Sequence, residues 1–160
     1  MRRSRPAVPR PAGFTLVEIL IVVVILGVLA AIVIPQFASA SEDTRKTAFA
    51  QDLRIFKDAI LRYELDTDAL PADGGSGSVP AGLEPYVNVG KWQSGTPIGG
   101  VWDNETADIV GAGMGVHFNG TGNTRDAAYM ADIDRMIDDG DVGTGSFRQF
   151  GDRYYSILRE

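Results

Sequence analysis

Two sets of carboxylates stand where their chemistry needs a reason. Glu18 is the one charged residue between Phe14 and Ile34, in the run FTLVEILIVVVILGVLAAIVI. An acid inside a membrane-spanning segment costs about 2.5–3.5 kcal/mol at the bilayer centre, less near its edge, and usually has a partner. The second set is Asp138-Asp139-Gly140-Asp141, followed by Val142-Gly143-Thr144-Gly145. Carboxylates interleaved with glycines are able to wrap a hard cation such as Ca2+, which takes about six to eight oxygens. The spacing is not that of an EF-hand, and a helix end followed by an acidic turn explains the same residues without a metal.

Other chemistry is sparse. There are no cysteines, so disulfides and thiolate metal sites are excluded. The lone His117, between Val116 and Phe118, reads as a satisfied or surface side chain in a strand. No nucleophile–base pair is recognisable, so no enzymatic activity is expected. Gly111-Ala112-Gly113-Met114-Gly115 lacks the spacing of a dinucleotide loop, and no phosphate-binding loop occurs. Those glycines read as turns. Trp92 and Trp102 read as core or as carbohydrate-facing, with core favoured because large aromatics dominate small cores.

The charge is unevenly spread. The chain has 15 basic and 21 acidic residues, a net of −6. Arg2, Arg3, Arg5 and Arg10 lie in the first thirteen positions, which hold no acid. The remainder keeps 11 basic and 21 acidic residues, a net of −10. So acidic a body argues against nucleic-acid binding through phosphates.

Residues 1–13 are basic and contain three prolines, so they are expected to be unstructured and to stay on the cytoplasmic side. The apolar run that follows is 21 residues long, enough as a helix to span a hydrocarbon core of about 30 Å. Three readings compete for it. A cleavable secretory signal is suggested by Ala38-Ser39-Ala40, with a soluble product starting near Ser41. Its apolar core, however, is normally about 7–15 residues. A plain signal anchor carrying a binding or enzymatic domain explains the length but not Glu18.

The third reading accounts for the whole segment. Gly13-Phe14-Thr15-Leu16-Val17-Glu18, behind a basic leader and ahead of an apolar run, resembles the signal of type IV prepilins. The resemblance covers residues 1 to about 37. It implies that a prepilin peptidase cuts after Gly13 and methylates the new amine of Phe14. It also implies that Glu18, at the family's fifth mature position, pairs with that amine on a neighbouring subunit and sets axial register. Gly27 and Pro35 punctuate the same helix, and a kink or boundary is expected near Pro35.

The expected organisation is a leader (1–13), a membrane or filament-core helix (14–35), an amphipathic stem (36–68) and a C-terminal α+β domain (69–160). In the stem, Phe49, Leu53, Phe56, Ile60 and Tyr63 recur at intervals of three and four, a seam to pack on a sheet. Strands are expected at 98–102, 109–110, 115–118, 147–150 and 153–158, the last two joined at Gly151-Asp152 as a hairpin. A helix is expected over 125–138 with Ala128, Tyr129, Ile133, Met136 and Ile137 inward. A long helix on a small antiparallel sheet is the pilin-like fold that the resemblance implies.

Through the resemblance, the expected role is a structural subunit of a type II secretion pseudopilus or a type IV pilus-like filament. The stretch Val79 to Val87 is similar to the post-stem loop of type II secretion major pseudopilins, which commonly bind calcium in a C-terminal loop. The implied partners are further copies, other pilins or pseudopilins, the prepilin peptidase and an inner-membrane assembly platform. The implied location is the inner membrane, with the C-terminal domain periplasmic or extracellular, and later the filament.

Overall fold

The computed structural model describes residues 13–106, 111–119 and 125–159. The chain divides into two compact units, residues 1–41 and 42–160. The leader before Gly13 and the candidate strand at 109–110 lie outside the described residues.

Helix α1 runs from Leu16 to Thr67. In the first unit every described side chain is exposed. A helix apolar all round has no polar face to offer water and needs an apolar surrounding. Its length and composition suffice to cross a membrane. Gly27 and Pro35 both lie inside α1. Pro35 has no N–H for the Ala31 carbonyl, the defect from which a bend would start.

In the second unit α1 becomes one-sided. Phe49, Leu53, Phe56 and Ile60 are buried at the expected spacing, and Tyr63 packs partly against them. Their partners come from α2 (Val89–Gln93) and from the four strands β1 (Val101–Glu105), β2 (Ala112–His117), β3 (Phe147–Phe150) and β4 (Arg153–Arg159). The sheet is wholly antiparallel, in the order β1-β2-β4-β3. The Trp102 ring stacks on Phe49 at 5.3 Å and meets Phe56 edge-on at 4.9 Å. Trp92, on the unanticipated α2, lies 4.9 Å from Phe56. Both tryptophans are fully buried, as expected of core.

Helix α3 (Ala127–Ile137) starts at Asp126, whose carboxylate accepts from the Tyr129 amide at 2.7 Å. It is fastened to the start of the stem through Tyr129, which lies between Lys46 and Arg125, each 4.6 Å from the ring. The Tyr129 hydroxyl donates to Glu42, and Lys46 pairs with Asp132 at 2.7 Å.

Several expectations need correcting. The strand expected at 98–102 is shifted to Val101–Glu105, because Gly99 and Gly100 turn the chain with φ of 94° and 77°. Asp103, Asn104 and Glu105 hid it, being polar yet buried. Gly111 bends the chain at φ 76°, as expected, but Gly113 and Gly115 are not turns: they lie in β2, one of the two inner strands. A Cβ at Gly115 would collide with the Tyr154 carbonyl, so glycine there lets β4 approach β2. Inside α3 the buried face is Met130, Ile133 and Asp134, while Ala128 and Met136 are exposed. The Gly151-Asp152 hairpin forms as expected, with Gly151 at φ 65°.

Replacing Gly115 by alanine should therefore destabilise the body by about 1–3 kcal/mol, the usual cost of forcing atoms into a packed site. A lowered melting midpoint of the detergent-solubilised chain by circular dichroism is the expected outcome. An unchanged midpoint would mean that the β2–β4 approach is not limiting.

Candidate functional site

The N-terminal site is local. Gly13, Phe14 and Thr15 precede the helix, and Phe14 is 84% exposed. The Thr15 amide and hydroxyl both donate to Glu18 Oε2 at 2.7 Å, while the Glu18 amide donates back to Thr15 Oγ1 at 3.3 Å. This reciprocal Thr-x-x-Glu arrangement is a capping box. It satisfies donors that a helix start leaves unpaired and gives the carboxylate two partners before any second chain arrives. The pattern is readable in Thr15-Leu16-Val17-Glu18 but was not singled out from sequence.

Residues 9–34 match the family described as the prokaryotic N-terminal methylation motif. The N-terminus carries that motif. The chain is 38% identical over 94 residues to type II secretion system core protein G of Pseudomonas aeruginosa, covering 59% of this chain and 60% of that one. The corresponding protein of Aeromonas hydrophila is 33% identical over 79 residues, 49% of this chain and 51% of that one. That of Escherichia coli is 37% identical over 65 residues, 41% and 45% of the two chains. The chain thus spans between two fifths and three fifths of the length of these relatives. No solved structure matches it.

The acidic site lies after α3. One oxygen each from Asp134, Asp138 and Asp139 falls within 4.8 Å of the others. Asp138 and Asp139 are exposed, whereas Asp134 is fully buried and neither of its carboxylate oxygens makes a well-formed hydrogen bond. Burial, then the charges of Asp139 and Asp138, push the Asp134 carboxyl up to about 6, against a pull from the Gly140 amide. Asp139 is held below the usual carboxylate range, chiefly by the Asp141 amide and the Thr144 hydroxyl. Asp138 accepts from the Ser146 amide.

Asp141 stands apart from the converging oxygens and accepts from the Gly143 amide at 2.9 Å. The loop crosses this cluster at Gly145, where a Cβ would strike the Asp138 carboxylate. Of the three residues expected from sequence, two converge and Asp134 joins them. Its signal was the four-residue spacing to Asp138, the residue that caps α3 one turn beyond Asp134. Nearby, Lys57 donates to Ser156 Oγ at 2.7 Å; burial lowers its ammonium while the Asp138 charge opposes that shift.

His117 is satisfied, as anticipated. Its Nδ1 lies 2.6 Å from Ser76 Oγ and its Nε2 3.4 Å from Asp152. The adjacent Gly77 amide donates to the Trp102 carbonyl at 2.8 Å, so this contact ties the 73–78 loop to the sheet.

Asp134 carries a pH signature. A carboxyl raised in the fold binds its proton more tightly than in the unfolded chain, so stability falls as pH rises from about 4 to about 6. In chelator, urea unfolding should show that decline in the parent and lose it in Asp134→Asn. The same slope in both proteins would place the titration elsewhere.

Proposed function

We propose that the chain is a structural subunit of a type II secretion pseudopilus or related filament, cut after Gly13 and methylated at Phe14. The single observation that carries this reading is the methylation motif across residues 9–34, with Glu18 held at the start of a span-length apolar helix. Similarity to core protein G from several bacteria favours the secretion filament over an adhesive pilus. A prepilin peptidase would act on the extended Gly13–Phe14 peptide at the membrane surface. Cleavage leaves an ammonium at Phe14, and an unpaired charge in an apolar setting is expensive. Glu18 of the same or a neighbouring chain is the one carboxylate near enough in sequence to offset it.

Subunits would wait in the inner membrane, the bilayer standing in for the apolar filament core, with the acidic domain in the periplasm. An assembly platform would then draw them out. Burial of residues 14–34 against neighbouring helices replaces lipid contact, and repetition of one heterologous contact extends the fibre.

Mass spectrometry of the protein from a host with a prepilin peptidase should find a chain beginning at methylated Phe14. An intact leader would favour a plain anchor, and a start at Ser41 a secreted protein. Glu18→Gln should still be cut but should assemble at least tenfold less well, scored by filament yield.

We also propose that Asp134, Asp138 and Asp139 hold a calcium ion. The residues fit: a buried carboxylate without a well-formed hydrogen bond is costly unless a cation joins it, and oxygen ligands suit a hard ion. Bound there, the ion would supply positive charge where three carboxylates meet. Calorimetry should detect calcium binding in the parent, and chelator should lower its melting midpoint; both effects should vanish in Asp134→Ala. Parent protein that takes up no calcium would remove the site.

A further inference from the structure

On the second unit, α1 presents a stripe that its own fold leaves uncovered. Ile55, Asp58, Arg62 and Leu65 recur at intervals of three and four, so they share one face of the helix. All four are exposed, Leu65 to 83%. Ile55, Asp58 and Arg62 line an open groove with Ala59 and Tyr86. One wall of that groove is held by the Tyr86 hydroxyl, which donates to Asp66 at 2.9 Å.

Exposed aliphatic residues alone mean little, since much of any protein surface is apolar. The charges set this stripe apart. Arg54, Asp58, Arg62 and Asp66 alternate in sign every fourth residue. The outer two are engaged internally, Arg54 with the Met136 carbonyl and Asp66 with Tyr86. The inner two, Asp58 and Arg62, form no ion pair among the described residues, although they stand at helix-pairing distance in sequence. One face therefore offers both halves of an ion pair, with an aliphatic residue beyond each.

From residue 14 onward the chain carries a net charge of −10, so copies repel one another over most approaches. Contact between copies requires a patch where opposite charges meet. We infer that this stripe is a contact surface for a second copy of the chain, Asp58 of one copy meeting Arg62 of the next, with Ile55 and Leu65 excluding water on either side. The inference rests on the filament reading and names the face that the filament uses. A parallel neighbour with no axial shift sets Asp58 against Asp58; a shifted one brings acid to base. An exposed pair supplies only about 0–1 kcal/mol, so the charges act on register, where like-charge contact is far more costly.

The test uses the full-length chain in a host that assembles it. Asp58→Arg alone and Arg62→Asp alone should each reduce filament yield at least tenfold. Expressed together, the two variant chains should restore it, because one presents two bases and the other two acids. A role confined within one helix gives no such rescue. Single variants that assemble like the parent, or a mixture that stays as defective as its components, would overturn the inference.

The absence of cysteine permits a second arm. One copy carrying Asp58→Cys and another carrying Arg62→Cys should form a mixed disulfide dimer when membranes are oxidised. If that dimer forms while mass spectrometry finds the leader intact, the contact stands and the pseudopilin reading falls. If the chain is cut and methylated but gives neither rescue nor dimer, the contact falls and the reading stands.

Discussion

Glu18 sits one turn into a helix that carries no polar side chain from there to Ile34. A carboxylate in that setting needs donors, and the start of a helix has N–H groups without acceptors. The Thr15–Glu18 box answers both needs with the same atoms. It also fixes where the helix begins, which leaves Gly13 and Phe14 outside it. The proposed cut between those two residues would add an amine to an arrangement that already holds the acid in place. Electrostatics, helix start and proposed processing site thus become one local problem with one local solution.

The second unit obeys a different constraint, the packing of two indoles against one helix face. Trp102 lies against Phe49 and Phe56, and Trp92 against Phe56, so the stem and sheet share a single aromatic centre. Bringing four strands onto that centre requires β2 and β4 to approach closely, which Gly115 allows. The far end of α3 closes the same core with Met130 and Ile133 and in doing so buries Asp134 one position further on. A residue that helps no core is carried inside by its neighbours, and its neutral form is favoured as a result. The cation proposal follows from that packing.

How much could be read in advance differed by element. The apolar run and the seam from Phe49 to Tyr63 are periodic over many residues, so their helix was legible. The hairpin was legible too, since Gly151-Asp152 is a turn of known chemistry between two aromatic strands. By contrast, β1 contains Asp103-Asn104-Glu105 and β2 contains two glycines, compositions that argue locally against strands. Tertiary partners overrode both: Tyr155 donates to Asp103 at 2.5 Å, Arg153 lies 3.5 Å from it, and β4 needs the space at Gly115. The phase of α3 was misjudged because Ala128 and Met136 are as apolar as Met130, and an aspartate such as Asp134 is not expected inside.

Sequence alone determined the span-length apolar segment: length, charge placement, the Gly-Phe junction and the acid five residues after the glycine. Those features act through short-range chemistry between residues close in the chain, which a linear reading can see. Tertiary structure decided which acids converge, which glycines are strand and which stem face stays open. Each of these depends on residues brought together from distant parts of the chain: Asp134 reaches the loop acids across the end of α3, and the stripe at Asp58 and Arg62 is free only because the sheet took the opposite side of the helix.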